Sequence, residues 1–335
     1  MRVVRDDLMS MARAGDRDAF REVTEPHRRE LLVHCYRMLG SFQDAEDALQ
    51  DTLVAAWQAL AGFQERSSFR TWLYRIATNR CLNMRRSASR RPAKEWNVPG
   101  VVPPEPTRLG EIVWLEPLPD VMLDFDVAGS PEAQYEQRES ISLAFVTALQ
   151  SLPPRQVAVL ILRDVLGFGA GEVAQMLDST VDAANSALKR ARAGLRRRQL
   201  GGDREPPPAA HSAAEDAVVA KFVRAWESAD LEALVELLTD DVFVSMPPMP
   251  FEYEGRGVVT SFCASIFRSE RRFDLVPTRA NGQPAFGAYL RGGNGISHGV
   301  GLYVLTLAGE RICAMTRFEN NVLRSFGLPR WIRSR

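Results

Sequence analysis

Thr180-Val181-Asp182-Ala183-Ala184-Asn185-Ser186-Ala187-Leu188-Lys189-Arg190-Ala191-Arg192 is the stretch on which the reading of this chain turns. Val181, Ala184, Leu188, Ala191 and Leu195 recur at spacings of 3, 4, 3 and 4, the stripe of an amphipathic helix. Ser186, Lys189, Arg190 and Arg197 face away from that stripe, with Asn185 and Arg192 flanking them. Thr180 is placed to cap the helix, and Asp182 lies in the first turn, where the helix dipole favours a negative charge. Upstream, Ser151-Leu152-Pro153-Pro154-Arg155-Gln156 opens a helix continuing through Val157, Leu160 and Ile161. After Gly167-Phe168-Gly169 a short helix spans Gly171 to Leu177, followed by a turn at Asp178-Ser179. Two helices joined by a tight turn, the second with a basic outer face, predict a helix-turn-helix whose second helix enters a major groove. An ordinary αα-hairpin would share the spacing. What separates the two is charge: six basic residues and no acid lie between Lys189 and Arg198. The terminal arginines suit phosphates and register, while Asn185, Ser186, Lys189 and Arg190 are placed to read bases.

A second basic segment lies further upstream. From Arg66 to Lys94 there are nine basic residues and no acid, although a solvated face normally mixes both signs. On a helical wheel Phe69, Leu73, Ile76 and Ala77 share one side, and Trp72, Arg75, Asn79, Asn83 and Arg86 form another stripe. Arginine for phosphates, an aromatic ring for an unpaired base and asparagine for base edges suit single-stranded DNA. Trp72 as an ordinary core aromatic is the competing reading. Between Asp44 and Leu60 the period is again helical, and Asp44, Asp47, Gln50 and Asp51 make an acidic patch on its polar side.

The whole chain has 335 residues, which predicts two or three domains. Lys+Arg at 42 balances Asp+Glu at 42, so a uniformly basic protein is excluded, yet the charges are segregated along the chain. Only Lys94, Lys189 and Lys221 are lysine, leaving 39 arginines, each a planar fork for phosphate or carboxylate. Cys35, Cys81, Cys263 and Cys313 lie far apart, so neither a zinc site nor a disulfide framework is expected. No apolar run approaches the roughly 18 residues of a membrane span, and a cytoplasmic protein without cofactor is the expectation.

Prolines at 92, 99, 103, 104, 106, 117, 119 and 131 predict an extended linker. Trp114 and Leu115 inside it are apolar groups that a solvated tether would not need, which suggests docking. Gly201-Gly202-Asp203-Arg204-Glu205-Pro206-Pro207-Pro208 reads as a hinge. The resulting division is a helical module over 1–92, linker 93–131, a second helical module over 132–200, hinge 201–210 and a third domain over 211–335. The third domain has helical patterns over Val218–Trp226, Leu231–Leu238 and Gly257–Arg268, and a strand starting at Val242. Strand-like runs follow at Phe273–Arg279, Ala285–Arg291, Gly299–Leu307 and Arg311–Phe318. Helices followed by antiparallel strands predict an α+β fold with a curved sheet. Its ionisable candidates are Asp240 and Asp241, which equally suit a helix-end turn, Glu252 and Glu254, which equally suit a loop, and His298, which equally suits an ordinary strand position. No carboxylate–histidine pair has a diagnostic spacing, so no catalytic residue is expected.

Taken together, these segments resemble the extracytoplasmic-function group of sigma-70 RNA polymerase sigma factors. The resemblance rests on Tyr36-Arg37-Met38-Leu39-Gly40, Asp44-Ala45-Glu46-Asp47-Ala48-Leu49-Gln50-Asp51 and Phe69-Arg70-Thr71-Trp72-Leu73-Tyr74-Arg75-Ile76-Ala77-Thr78-Asn79-Arg80. It continues in Leu152-Pro153-Pro154-Arg155-Gln156 and Asn185-Ser186-Ala187-Leu188-Lys189-Arg190-Ala191-Arg192. Residues 211–335 resemble SnoaL-like, nuclear-transport-factor-2-like domains, notably at Gln283-Pro284-Ala285-Phe286-Gly287-Ala288-Tyr289-Leu290. The whole chain is similar to the tailed G and J types of actinobacteria. The implied fold is two all-α domains, region 2 and a helix-turn-helix region 4, followed by an α+β cone.

The resemblance also implies partners: core polymerase, at its β′ clamp and β flap, and promoter DNA. Asp44, Glu46, Asp47, Gln50 and Asp51 would grip the polymerase. Arg70, Trp72, Arg75, Asn79, Arg80, Asn83, Arg85 and Arg86 would open and read the −10 element. Thr180, Asn185, Ser186, Lys189, Arg190 and Arg192 would read the −35 element. The tail would adjust activity. Where related tails carry an acidic, glycine-rich, lysine-ended motif, this chain has Arg291-Gly292-Gly293-Asn294-Gly295. An anti-sigma partner stays open, as do two other functions: a ligand-sensing helix-turn-helix regulator and a cyclase- or isomerase-type enzyme fused to DNA-binding parts. Promoter elements two helical turns apart are separated by ~70 Å. The 36 residues from Trp96 to Pro131 could stretch to about 120 Å at ~3.4 Å each.

Overall fold

The computed structural model describes residues 2–88, 94–96, 98, 100–110, 114–123, 138–198, 204–268 and 270–334. The expected boundaries near 93, 131–132 and 201–203 lie outside the described residues. The chain divides into two compact units. Residues 1–91 and 121–199 form a helical unit, and residues 92–120 and 200–335 form a sheet unit.

In the helical unit, α1 (Arg2–Arg13), α2 (Arg17–Leu39), α3 (Phe42–Ala59) and α4 (Phe69–Ala88) make the first bundle. Asp16 starts α2, its Oδ1 accepting from the Asp18 and Ala19 amides at 2.9 and 3.0 Å. Gly40 ends it at φ +76, and the Gly40 amide closes on the Tyr36 carbonyl at 2.7 Å. Ser41 then caps α3 through the Asp44 amide, so α2 and α3 form a hairpin with almost no loop. Leu31, Cys35 and Tyr36 of α2, Ala45 and Ala48 of α3, and Leu73, Ala77 and Cys81 of α4 are fully buried between them. Burying a leucine-sized side chain is worth about 1.5–3 kcal/mol. His34 lies in the same core, its Nε2 2.9 Å from the Thr78 hydroxyl.

The second bundle comprises α5 (Leu143–Gln150), α6 (Pro154–Leu160), α7 (Ala170–Met176) and α8 (Val181–Arg198). A π-helical turn over Ile161–Val165 extends α6. Glu172 caps α7 by accepting from the Gly169 amide at 2.8 Å. Asp178 takes φ +47 in the turn, and Thr180 Oγ1 accepts from the Ala183 amide at 3.2 Å to start α8. Ala184, Leu188 and Ala191 are buried as expected, but Val181 is 44% exposed. It stands in the first turn, before the helix reaches its partners.

In the sheet unit, helices α9 (Ala213–Ser228), α10 (Leu231–Glu236) and α11 (Arg256–Arg268) cover one face of a curved sheet. The strands are β1 (Arg108–Leu109), β2 (Leu238–Met246), β3 (Met249–Glu254), β4 (Phe273–Ala280), β5 (Gln283–Arg291), β6 (Ile296–Ala308), β7 (Arg311–Phe318) and β8 (Trp331–Arg333). Their order is β1-β3-β2-β7-β6-β5-β4, with β8 also on β6. Two expectations change. The sheet is not wholly antiparallel, because β2 runs parallel to β7. Glu252 and Glu254 lie on β3 rather than in a loop. That strand escaped a period-2 reading because Pro250 interrupts it, and its outer neighbour is a two-residue edge strand.

The proline-rich segment is bound to this sheet rather than free. β1 pairs with β3, Arg108 opposite Glu252 and Leu109 opposite Phe251. Proline supplies no amide donor, so the segment is held largely through its carbonyls and through side chains. The Tyr253 hydroxyl donates to the Pro104 carbonyl at 3.1 Å, and within the segment the Trp96 indole donates to the Val101 carbonyl at 2.8 Å. Val101, Leu115 and Leu118 are buried. The Leu118 amide donates to Asn281 Oδ1 at 2.8 Å, while the Asn281 amide returns a bond to the Leu118 carbonyl at 2.9 Å. Arg279 joins Asp120 at 3.3 Å and Glu215 at 2.7 Å, linking segment, β4 and α9. The four cysteines are free and buried. Among the described residues no helix is long and apolar enough to cross a membrane.

Burial, reinforced by the Arg37 and Arg70 charges, pushes His34 down to about 3. Below the ordinary value near 6.5 the unfolded chain takes up a proton that the folded core refuses. Stability from this group is therefore intact above pH 6.5 and is lost on acidification, by about 1.4 kcal/mol per pH unit. Hydrogen exchange of α2 and α4 amides between pH 6.5 and 5 is expected to show that slope, and His34→Gln to flatten it; equal slopes would refute the assignment.

Candidate nucleic-acid interface

The outward face of α8 is built as the spacing predicts. Asn185, Ser186, Lys189 and Arg190 are exposed, and so is Thr180, whose hydroxyl also caps the helix. Ala184, Leu188 and Ala191 anchor the opposite face, so the polar side chains project from a fixed helix. Arg192 is exposed but committed, its Nε and Nη2 donating to Asp164 at 2.8 and 2.7 Å. Those two bonds hold the guanidinium above its already high ordinary value. Asp164 stands on the π-helical turn, which the sequence pattern did not reveal. Arg155, read only as part of a helix start, reaches the Leu177 carbonyl at 3.4 Å and steadies the turn.

On α4 the expected stripe separates into two groups. Arg75, Arg80, Asn83 and Arg86 are exposed, with Trp72 and Asn79 half-buried. Trp72 leans on Phe63, with ring centroids 4.9 Å apart, and on Phe69 at 5.7 Å, leaving part of its ring open. Arg70 and Arg85 take structural positions instead. Arg70 donates to Glu30 at 2.8 Å and lies over the Tyr74 and Phe168 rings at 4.8 and 5.3 Å. Burial alone would raise Glu30, yet bonds from His27 and Arg70 hold it below the usual carboxylate range. Arg85 donates to the carbonyls of Met38, Gln150 and Leu152 at 3.0, 3.1 and 3.2 Å. Both were counted as DNA contacts because a charge run does not show which arginines turn inward.

Two further contacts hold the two bundles together, and a third ties the segment before the second bundle to α2. Arg37 is buried and donates to the carbonyl and hydroxyl of Ser140 at 3.0 and 2.7 Å. Arg29 reaches the Val121 and Met122 carbonyls. Arg75 pairs with Asp178 in the helix-turn-helix turn at 3.1 Å, so one side chain of the α4 stripe is engaged beside the start of α8.

On α3, Asp47, Gln50 and Asp51 are exposed, and Asp44 and Glu46 are half-buried. Partial burial, helped by the neighbouring Asp47 charge, pushes Glu46 up. In the sheet unit, Asp240 pairs with Arg256, Asp241 with Arg204, and Glu252 and Glu254 with Arg108. His298 is exposed on β6, opposite Leu290 and Trp331. Asp240 and Asp241 stand in β2, not at a helix end. Arg291 ends β5, and the glycine-rich run after it forms the exposed β5–β6 turn.

Comparison with known proteins finds three family matches along the chain. Sigma-70 region 2 matches residues 23–91, Sigma-70 region 4 matches residues 142–195, and a SnoaL-like domain matches residues 219–320. The ECF RNA polymerase sigma factor SigG of Mycobacterium tuberculosis (strain ATCC 25618 / H37Rv) is 41% identical over 329 residues, covering 95% of this chain and 85% of that one. SigW of Bacillus subtilis (strain 168) is 25% identical over 203 residues, covering 56% of this chain and 93% of the relative. The crystal structure of the Mycobacterium tuberculosis extracytoplasmic function sigma factor SigJ shares the fold, with a TM-score of 0.60 at 19% identity over 90% of this chain and 97% of that one.

Arg85 and Arg75 should separate on mutation. Arg85→Ala leaves part-buried carbonyls without their charged donor and is expected to destabilise the helical unit by about 2–3 kcal/mol. Arg75→Ala removes an exposed pair and is expected to cost less than about 1 kcal/mol. Urea unfolding of both variants measures the difference, and equal costs would contradict a structural role for Arg85.

Proposed function

Because the chain belongs to the extracytoplasmic-function sigma factors, RNA polymerase initiation subunits of the sigma-70 family, and carries a SnoaL-like domain, we propose a specific role for each surface. The exposed outer face of α8 carries this reading. Asn185, Ser186, Lys189 and Arg190 enter the major groove of the −35 element, and Thr180 meets the backbone near the helix start. Arg192 supports that face through Asp164. On α4, Trp72 stacks on an unpaired base of the −10 element. Arg75, Arg80 and Arg86 hold its phosphates, with Asn79 and Asn83 beside base edges. Asp44, Glu46, Asp47, Gln50 and Asp51 of α3 grip the β′ clamp of the polymerase, and the second bundle meets the β flap. All of this takes place in the cytoplasm, on the bacterial chromosome.

Promoter binding requires the bundles to separate. Elements ~70 Å apart cannot be read while Arg75 is paired beside Thr180. Separation breaks contacts of unequal strength: Arg75–Asp178 is exposed and weak, whereas Arg37 and Arg85 hold half-buried carbonyls. The length of free chain between the bundles limits how far they part. The described residues of 94–110 and 114–120 belong to the sheet unit, which takes much of the 36-residue tether out of that reach. We infer that the SnoaL-like domain restrains initiation by storing the tether, and that releasing the segment raises activity.

Run-off transcription with core polymerase tests both parts. Lys189→Ala and Arg190→Ala are expected to weaken promoter binding by about 1–3 kcal/mol each and to reduce its salt dependence. Unchanged binding would remove α8 as the reader. Leu118→Asp, which puts a charge into a buried position, is expected to increase transcript from the same promoter. Unchanged transcript with unchanged affinity for core would leave the tail without this restraint.

A further inference from the structure

Arg317 on β7 faces Tyr303 on β6 directly across the sheet. Its Nη2 donates to the Val300 carbonyl at 3.1 Å, whereas its Nη1 is buried with no hydrogen-bond partner. Among the described residues Arg317 makes no ion pair. Trp226, on α9, lies against the same patch, with ring centroids 5.1 Å from Tyr303 and 6.4 Å from Phe273. The indole is 1% exposed, and its Nε1 has no acceptor. A second guanidinium, Arg271, sits 5.8 Å from the Phe273 ring centroid. Burial pushes Arg271 below its ordinary value and the Arg317 charge adds to that, so the two cations feel one another.

Folded proteins seldom keep buried donors unpaired, because each has lost its water and gained nothing in return. Here both donors belong to side chains that adjoin Tyr303, which also interacts with the Arg317 guanidinium, and Arg271 adds a second positive charge beside aromatic rings. A metal ion would be repelled by this set, which offers N–H groups and positive charge. A neutral apolar molecule would leave the donors unsatisfied. A carboxylate has two oxygens that can accept from both, and a single negative charge to set against the arginines. The aromatic walls suit an apolar body behind it. Arg271 and Arg317 are both part-exposed, so the patch reaches solvent on their side.

We propose that the SnoaL-like domain carries a binding site for a small apolar carboxylate, whose oxygens accept from Arg317 Nη1 and Trp226 Nε1 while Arg271 supplies further positive charge. The proposal is independent of the promoter-binding roles assigned above. An aromatic carboxylate fills the same requirement as a short acyl one, so benzoate is the probe.

Isothermal titration of the full-length protein with benzoate is expected to give saturable binding. Benzamide and inorganic phosphate should each bind at least about tenfold more weakly, since one lacks the charge and the other the apolar body. Arg317→Gln and Trp226→Phe are expected to weaken benzoate by about tenfold or more. Circular dichroism establishes that each variant is folded, and if Arg317→Gln is not, Trp226→Phe alone decides. No benzoate binding at millimolar concentration, equal affinity for benzoate and benzamide, or unchanged affinity in a folded variant would each overturn the site.

Discussion

The Arg85 guanidinium lies between the C-terminal end of α2 and the α5–α6 junction, its N–H groups shared among the carbonyls of Met38, Gln150 and Leu152. Those carbonyls sit at or near helix ends, where the backbone leaves acceptors unsatisfied. Arg37 does the same for Ser140 and Arg29 for Val121 and Met122. A flat, permanently charged fork can bridge several acceptors at once, which an ammonium cannot do with fixed geometry. The helical unit depends on this interaction, because the two bundles meet through polar helix ends as much as through apolar faces. Gly40 fits the same junction: a Cβ there would come within 2.8 Å of the Gln150 side chain.

Periodicity made the bundles legible. The apolar stripes of α3, α4 and α8 fall on buried positions, with exceptions such as Val181 at a helix start. The charge of α8 likewise marked a surface that the structure leaves open. What periodicity could not supply was the fate of individual arginines. Arg70, Arg75, Arg80, Arg85 and Arg86 look alike in a charge run. One stacks between rings, one caps three carbonyls, one pairs with Asp178 and two stand exposed. Their fates depend on residues 40 to 103 positions away in the chain, such as Glu30, Met38 and Asp178. The π-helical turn that presents Asp164 has no local signature either.

The proline segment shows a different limit. Its composition argued for an extended tether, whereas Trp114 and Leu115 argued for docking. The backbone forms no helix over 100–110, yet Val101, Leu115 and Leu118 are buried and Asn281 exchanges two bonds with Leu118. A proline-rich edge suits this role, since it covers β3 while offering few donors to another strand. The short β1 strand was invisible because its partner, β3, was itself read as loop.

The sheet unit is assembled from two stretches of chain separated by seventy-nine residues of the helical unit. On the ribosome, residue 120 emerges almost two hundred residues before the end of β7, which at ~5–20 residues per second is roughly 10–40 s. Throughout that interval Leu115 and Leu118 have no sheet to cover them, while the helices that flank them in sequence can already fold. Every newly made molecule therefore passes through a stage in which Leu115 and Leu118 lack their covering strands, and they can be buried only once β4 to β7 have been made.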